Sequence, residues 1–456
     1  MQYYEHRDPN RFQYMEWVDK TNVHPVMVGM VLLAFLLLLA GPRRLWIFAI
    51  GLTVCMIPTA QRVVISGVDF STIRIVAVSS ILALAVRGDF KSIRFARFDY
   101  IVALSCMLPW IMALIRGNSS QIVTFFGIGL DYFTFFLIGR VAIRSLRDVE
   151  HLAKALILIA IPVGLALANE KLTGRNVFHF LGGVPEFTII REGKLRAQAA
   201  FPHSIIAGCW LAASIPLILT LRYLRRGSQM TSILVLLGCL VCCVGVFGTA
   251  SSTPIGGLLA AILAIVVFPM RAHLKSFRLA AVFVGIALHL AAGRGLHGVL
   301  YTQFTFVSGS TGYHRYKMVQ GCIDHVSEWF FFGSNSTYHW GWGLDDITHE
   351  YILAAIRGGM LGLGLLIYIL YKCFSNAGKL MAVPDKRYLI VGYLFGASIW
   401  VHAVNWLGGS YFGQAPLLYY ITVGGLHTLA CSVPELSVRR STSSVRVRSG
   451  PSGVPV

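Results

Sequence analysis

Three short segments of this 456-residue chain bring together side chains that could hold an anion and move a proton. Residues 191–205 read REGKLRAQAAFPHSI, with Arg191, Lys194 and Arg196 just ahead of His203 and an apolar run. Three cations so close together suit an anionic group such as a diphosphate, because a planar guanidinium grips phosphate oxygens through paired, charge-assisted hydrogen bonds. Residues 308–333 read SGSTGYHRYKMVQGCIDHVSEWFFFG. Gly309 and Gly312 break the chain there, and a helix after them places Arg315, Met318, Cys322 and Val326 on one face. A single arginine on that apolar face aims its charge into a cavity or at lipid headgroups, with His314 and Lys317 as further donors. Residues 341–364 read GWGLDDITHEYILAAIRGGMLGLG. Asp345, Asp346 or Thr348 is a good helix amino cap, which puts His349 and Glu350 in the first turn. A neutral histidine there can take a proton from an incoming hydroxyl. Gly358, Gly359, Gly362 and Gly364 would give one helix face a close backbone approach. A solvated loop and an interfacial anchor are the plainer readings of the same residues.

Other chemistry is poorly represented. Cys239, Cys242 and Cys243 look like a metal cluster, yet they sit in an apolar run without a second ligand set and read as packing. Only Cys322 falls clearly in a polar connection, so a structural disulfide is not expected. There is no phosphate-binding glycine loop, no HExxH and no GxSxG, which speaks against ATP-driven transport. Arg74 and Asp131 fall in apolar stretches, where a charge costs about 2.5–3.5 kcal/mol on insertion scales. They read as an internal ion pair or as part of a channel. His289, His402 and Asn405 lie in or near apolar stretches too, and a lone histidine there more often bonds helix to helix.

The elements that must position these groups follow from composition. Charged residues are 13% of the chain and hydrophobic ones 56%. A soluble domain carries about 25% charged residues, so this chain cannot cover a water-facing surface of its size. It reads as an all-α polytopic membrane protein. The net charge of +19 then reports topology and not nucleic-acid binding. Crossing a bilayer takes about 20 apolar residues. Candidate runs lie near 24–40, 45–60, 71–86, 99–115, 120–143, 151–168, 201–221, 231–250, 252–269, 277–292, 349–371, 388–405 and 411–430, of which about 12 are expected to be spans. Loops 87–98, 144–150, 222–230, 270–278, 372–387 and 431–456 hold 20 Lys/Arg, and the alternate loops hold 10. The first set is therefore expected in the cytoplasm, with both chain ends there. Residues 1–23 form a polar amino-terminal segment that does not resemble a cleavable signal. Residues 24–430 form the transmembrane domain, and 431–456 a disordered basic cytoplasmic tail able to touch anionic lipid. Two outer loops are long, 169–200 and 293–348. The second has 56 residues and is rich in Trp and Phe, so short helices at the interface are expected in it.

Taken together, the segments resemble the O-antigen ligase / O-antigen polymerase family of bacterial membrane glycosyltransferases. Arg196 followed by Phe201, Pro202 and His203 resembles the family's Arg–x–x–Gly–x–Phe–x–x–Pro region. Arg315 followed by Gly333 resembles its outer-loop helix, and His349 opens a span that runs into GGMLGLG. The layout of about 12 spans with one long external loop before the last few is similar as well. GTASSTPIGG (248–257) resembles the family's Thr–x–Ser–Arg–Gly stretch without its Arg. The likeness covers roughly residues 60–430.

The resemblance implies an integral enzyme of the bacterial inner membrane with the mostly helical lipid-sugar glycosyltransferase fold. Such an enzyme acts at the periplasmic face without metal or cofactor. It transfers a glycan, with inversion, from undecaprenyl diphosphate to a hydroxyl on an acceptor glycan or a lipid A core. Arg196 and Arg315 are then implied to grip the diphosphate and His349 to activate the acceptor, with His314, His325 and Glu350 as alternative bases. Arg191, Lys194, His203, His314, Lys317 and Glu350 are the further candidates for substrate contact. A different class, a permease or lipid flippase, would instead use Arg74 and Asp131 and no external chemistry.

Overall fold

The computed structural model describes residues 20–293, 295–303 and 312–433. The tail beyond Val433 and most of the polar amino-terminal segment lie outside the described residues. The chain is mostly helical: α1 (Pro25–Leu39), α2 (Trp46–Met56), α3 (Thr72–Val86), α4 (Arg97–Ile115), α5 (Ser119–Ala142), α6 (Leu146–Thr173), α7 (Ser204–Leu224) and α8 (Gln229–Gly248) come first. They are followed by α9 (Ser252–Val267), α10 (Leu274–Ala291), α11 (Gly295–Gln303), α12 (Gly312–Asp324), α13 (Val326–Trp329), α14 (Glu350–Met381), α15 (Lys386–Asn405) and α16 (Ala415–Cys431). Two hairpins, β1 (Arg62–Ile65) with β2 (Val68–Ser71) and β3 (Ile190–Arg191) with β4 (Lys194–Leu195), are the strand pairs.

Eight helical segments are long and apolar enough to cross a membrane. They are α4, α5, α6, α7, α8, α14, α15 and the continuous run of α9 and α10. Helices α1, α3 and α16 are apolar but shorter. Local signals set where helices begin. Ser71, Asn118, Ser145 and Ser228 each accept a hydrogen bond from the backbone N–H three residues on, satisfying a donor the helix leaves open. Helix α7 is apolar all round and sits in the middle of the bundle, where that pattern belongs. Helix α10 buries no residue, and Leu236, Val266 and Leu290 are each more than 60% exposed. Such apolar surface needs lipid around it.

The connections sort into two groups at opposite ends of the bundle. At one end Arg43 pairs with Asp89, Arg225 with Glu150 at 2.7 Å, and Asp99 with Arg140 at 2.9 Å. At the other end Gln61 bonds the Leu181 carbonyl, the Ala197 N–H bonds Gly248, and Thr253 bonds Gly408. Asn22 joins this second group by exchanging backbone hydrogen bonds with Arg62 at 2.8 and 3.0 Å. His427 lies 3.8 Å from Asp99, in the first group. Residues 20–24 and the end of α16 therefore lie at opposite ends of the bundle, which corrects the expectation that both sit on one side. The physical reason is the isolated Asn22–Arg62 bridge, a pairing that a hydropathy reading does not see.

Segment 293–348 contains short helices (α11, α12, α13 and a 3-10 turn at Tyr338–Trp340). Of the face expected on α12, Arg315, Met318 and Cys322 are buried together. The helix stops at Asp324, so Val326 starts the next turn and is 42% exposed. All nine cysteines are free thiols. Arg74 and Asp131 pair at 3.4 Å, and Arg74 also donates to the Asp69 carbonyl at 2.8 Å. His402 bonds the Tyr411 hydroxyl at 2.8 Å, and Asn405 donates to the same oxygen.

Candidate functional site

At the Asn22 end of the bundle a cavity of about 700 Å³ collects five arginines: Arg116, Arg191, Arg196, Arg315 and Arg357. His203, His314, Asp345, Asp346 and Tyr411 also line it. They arrive on five separate stretches of chain.

Arg191 and Arg196 ride on the β3–β4 hairpin. Glu192 and Gly193 form its tight turn, both with positive φ, the backbone a right-twisted two-residue hairpin needs. The loop behind it is organised from inside. Glu170, buried at the end of α6, accepts hydrogen bonds from the Ala199 and Gln198 N–H groups at 2.7 and 3.1 Å and from the Thr188 hydroxyl at 3.2 Å. Asn176 donates to the Ala199 carbonyl at 2.8 Å, and Gln414 to that of Ala200 at 3.3 Å. Arg315 comes from α12, and its Nη2 donates to Thr253 Oγ1 at 3.1 Å. Thr253 belongs to the GTASSTPIGG stretch.

The fourth stretch is held by a break in α14. Gly359 has φ 64° and ψ −165°, which no helix tolerates. The break frees backbone groups on both sides. The Ile356 carbonyl accepts from the Ser334 N–H at 2.8 Å, and the Met360 N–H donates to the Phe330 carbonyl at 2.7 Å. Gly333, with φ 75°, passes so close that a Cβ would strike the Ile356 carbonyl and sit 2.7 Å from Arg116 Nη1. The glycine at 333 thus has a steric cause. Arg116 Nε donates to Asn335 Oδ1 at 2.8 Å and its Nη1 to the Phe332 carbonyl, tying the turn to the end of α4. Of the four glycines of α14, Gly358 and Gly362 both face Leu108, as the close-approach expectation has it, whereas Gly359 breaks the helix and Gly364 meets nothing within 4 Å.

The electrostatics of the cavity favour an anion. Arg196 and Arg315 are each at least nine-tenths buried, and the Nε of each has no hydrogen-bond partner among the described residues. Neither has a carboxylate partner there. Burial, with Arg191 and Arg315 nearby, pulls the Arg196 guanidinium down to about 10. Burial lowers Arg315 as well, aided by Arg191. Buried cations that no carboxylate pairs with directly are stabilised by an anion that enters.

The histidines divide. His203 caps α7 with Nδ1, accepting from the Ile205 N–H at 3.0 Å. In the neutral ring its proton is then on Nε2, and the side chain lines the cavity as a hydrogen-bond donor. Burial, Arg196 and Arg191 push its pKa down to about 4, so it stays neutral. His349 is the amino cap of α14, the role expected of Asp345, Asp346 or Thr348. Its Nδ1 accepts from Ile352 N–H at 3.4 Å. Its Nε2 meets the Tyr301 hydroxyl at 2.8 Å, and that hydroxyl donates to the Leu407 carbonyl. Both ring nitrogens are occupied, and His349 does not line the cavity. Burial and Arg315 lower its pKa to about 4. His314 does line the cavity, beside Asp345 and Asp346. Burial lowers it, Asp346 opposes that, and Arg315 and Lys317 add to it.

Of the residues singled out by sequence, Arg191, Arg196, His203, His314 and Arg315 therefore meet in one cavity. Lys194 lies across the hairpin from Arg191, off the cavity wall. Lys317 stacks over Tyr313 at 5.1 Å. Glu350 is half-buried and accepts from the Tyr411 N–H at 2.7 Å, a structural bond. Arg116, Arg357 and the 334–337 turn join the wall without having been singled out. Arg116 was visible as the lone cation of a short connection, and Arg357 as an arginine within an apolar helix. His325 forms a separate cluster with Glu328 and His339, away from the cavity lining. No family model and no curated protein matches the chain.

Proposed function

We propose that the chain is a membrane glycosyltransferase of the O-antigen ligase / polymerase type. It moves a glycan from undecaprenyl diphosphate to an acceptor hydroxyl at the periplasmic face of the bacterial inner membrane. One observation carries this reading: two buried arginines with unpartnered Nε atoms share a cavity with three more arginines and with groups able to accept a proton. In the reaction the acceptor oxygen forms a bond to the anomeric carbon while the bond from that carbon to the phosphate oxygen breaks. The electron pair leaves on the lipid diphosphate, where Arg196, Arg315 and Arg191 meet the growing negative charge. His203 adds a neutral Nε2–H donor. The acceptor proton passes to a base. His314, Asp345 and Asp346 face the cavity with lone pairs to spare, so the base is assigned to this set, and His349 to holding Tyr301. The diphosphate supplies the driving energy, so no nucleotide site is needed.

Membrane topology supports the same face. The cavity lies at the bundle end opposite the Lys/Arg-rich connections, which is the outer side by the positive-inside rule. Helices α1, α2, α3 and α16 complete the crossings as short or tilted spans. Counting α9 and α10 as two crossings that turn at Phe268–His273 gives thirteen in place of the expected 12 or so, an odd number that agrees with Asn22 and Ser432 at opposite ends. The permease reading is weakened because Arg74 is already engaged, by Asp131 at 3.4 Å and by the Asp69 carbonyl at 2.8 Å.

The test is reconstitution in liposomes with an undecaprenyl-diphosphate oligosaccharide, with and without lipid A core. A product ladder without added acceptor marks a polymerase, and label on the core marks a ligase. Arg315→Ala and Arg196→Ala should abolish transfer in protein that remains folded. Near-normal transfer by Arg315→Ala would overturn the assignment.

A further inference from the structure

The segment that joins α12 to α14 carries a second constellation, unrelated to the arginine wall. His325, Glu328 and His339 each present one ligand atom, all within 4.8 Å of one another. We infer that these three residues form a divalent transition-metal site, of the zinc type, that clasps residues 325–339 into a closed loop.

The donor chemistry fits. His325 Nδ1 lies 2.9 Å from the Gly321 carbonyl, which can only accept, so Nδ1 carries the ring proton and Nε2 keeps a free lone pair. Metal-bound histidines are held this way, with the second nitrogen donating to a backbone carbonyl. Glu328 Oε2 is held by the Trp340 indole N–H at 2.9 Å, which fixes the carboxylate and draws its pKa below the usual range. His339 Nε2 shares a proton with the same oxygen at 2.7 Å. A metal would take that proton's place. Zinc bonds of about 2.0–2.1 Å in tetrahedral geometry need ligand atoms roughly 3.3 Å apart. The observed spacings of 2.7 and up to 4.8 Å bracket that value, so small rotations suffice.

The scaffold is firm. His325 stacks on Trp340 with ring centres 5.2 Å apart, and Trp329 Nε1 donates to the Cys322 carbonyl at 2.8 Å. Trp329 and Trp340 are both buried with Met318 and Leu344. Two imidazoles and a carboxylate, with no thiol, select zinc over calcium or magnesium. Glu328 and His339 are partly exposed, which leaves a fourth position open to water. The loop so closed contains Ser334, Asn335, Ser336 and Thr337 of the cavity wall.

The experiment uses full-length protein in detergent, stripped with chelator and titrated with zinc chloride by calorimetry. A Cys431→Ser background removes the competing thiol beside His427. One equivalent of zinc should bind, and the His325→Ala/His339→Ala double variant should bind none. Trp340→Phe keeps the packing but loses the indole N–H, and should weaken zinc about 10- to 100-fold. X-ray absorption at the zinc edge should show imidazole and oxygen neighbours. Sulfur in that first shell, unchanged stoichiometry in the double variant, or no zinc binding by the parent would each overturn the inference. Arg315→Ala should keep the zinc equivalent even if transfer is lost, so the two sites fail independently.

Discussion

Replacing Gly359 with alanine tests whether the broken helix is what holds the cavity together. Gly359 sits at φ 64°, ψ −165°, in a region essentially closed to side-chain-bearing residues. Forcing alanine there costs about 1–3 kcal/mol. The new Cβ would lie 2.5 Å from the Phe331 carbonyl oxygen and 2.9 Å from that of Phe330, both backbone atoms that cannot swing aside. Relief means moving the 330–334 strand of chain away and losing the Met360 N–H to Phe330 bond, a further 0.5–1.5 kcal/mol or so. The combined penalty is about 2–4 kcal/mol, concentrated at one seam. Hydrogen exchange followed by mass spectrometry reads it directly. At ~3 kcal/mol the amides of Ser334 and Met360 should exchange about 100-fold faster than in the parent. Gly364→Ala is the matched control. That glycine lies in the same helix with nothing within 4 Å, so alanine there should be neutral or stabilise by about 0.5–1 kcal/mol. Equal exchange in the two variants would refute the claim that the break at Gly359 anchors the turn.

Three further outcomes are expected. Arg196→Lys keeps the charge but not the fork, and should weaken binding of a diphosphate lipid about 10- to 100-fold, as expected when a charge-assisted bond worth about 1.5–3 kcal/mol is lost, measured by vesicle co-sedimentation. Glu170→Ala strands the Gln198 and Ala199 N–H groups, at about 1–3 kcal/mol each, and should lower the thermal midpoint and release the hairpin to protease, whereas Glu170→Gln should retain most of the fold. His349 is 5% exposed and its pKa is held at about 4, so between pH 6.5 and 4 the unfolded chain binds the extra proton and stability falls as pH falls. The loss should reach roughly 3 kcal/mol by pH 4 and level off below it, and a pH series of unfolding midpoints should show His349→Asn, which keeps a good cap, losing most of that dependence.

Much of the site was legible because charge is conspicuous against an apolar background. Arg191, Arg196 and Arg315 stand out in the set of connections with fewer cations, and the structure gathers all three in one cavity. The helical class was equally readable from long apolar runs. Connection geometry was not. The isolated bridge between Asn22 and Arg62 depends on residues 40 apart meeting at one end of the bundle, and no local pattern encodes it. The role of His349 was misjudged because a histidine next to Asp, Asp and Thr reads as a first-turn residue, while the ring itself makes the capping bond to Ile352. Gly333 and Gly359 were visible as glycines, but their meaning needed the 330–334 chain to be laid against the break in α14.

That contact explains how so unfavourable a charge cluster can be built at all. Three of the five cations are held by neutral groups in place of a counter-ion. Arg315 leans on the Thr253 hydroxyl, Arg116 on an amide and on carbonyls, and Arg357 on the face of Phe125 at 5.1 Å. The hairpin carrying Arg191 and Arg196 is positioned by Glu170, whose carboxylate is spent on backbone N–H groups. A carboxylate beside Arg196 would have stabilised the resting protein and closed the site to anions. Uncharged supports keep the positive potential available for an anion, which under the proposed function is the diphosphate of the donor.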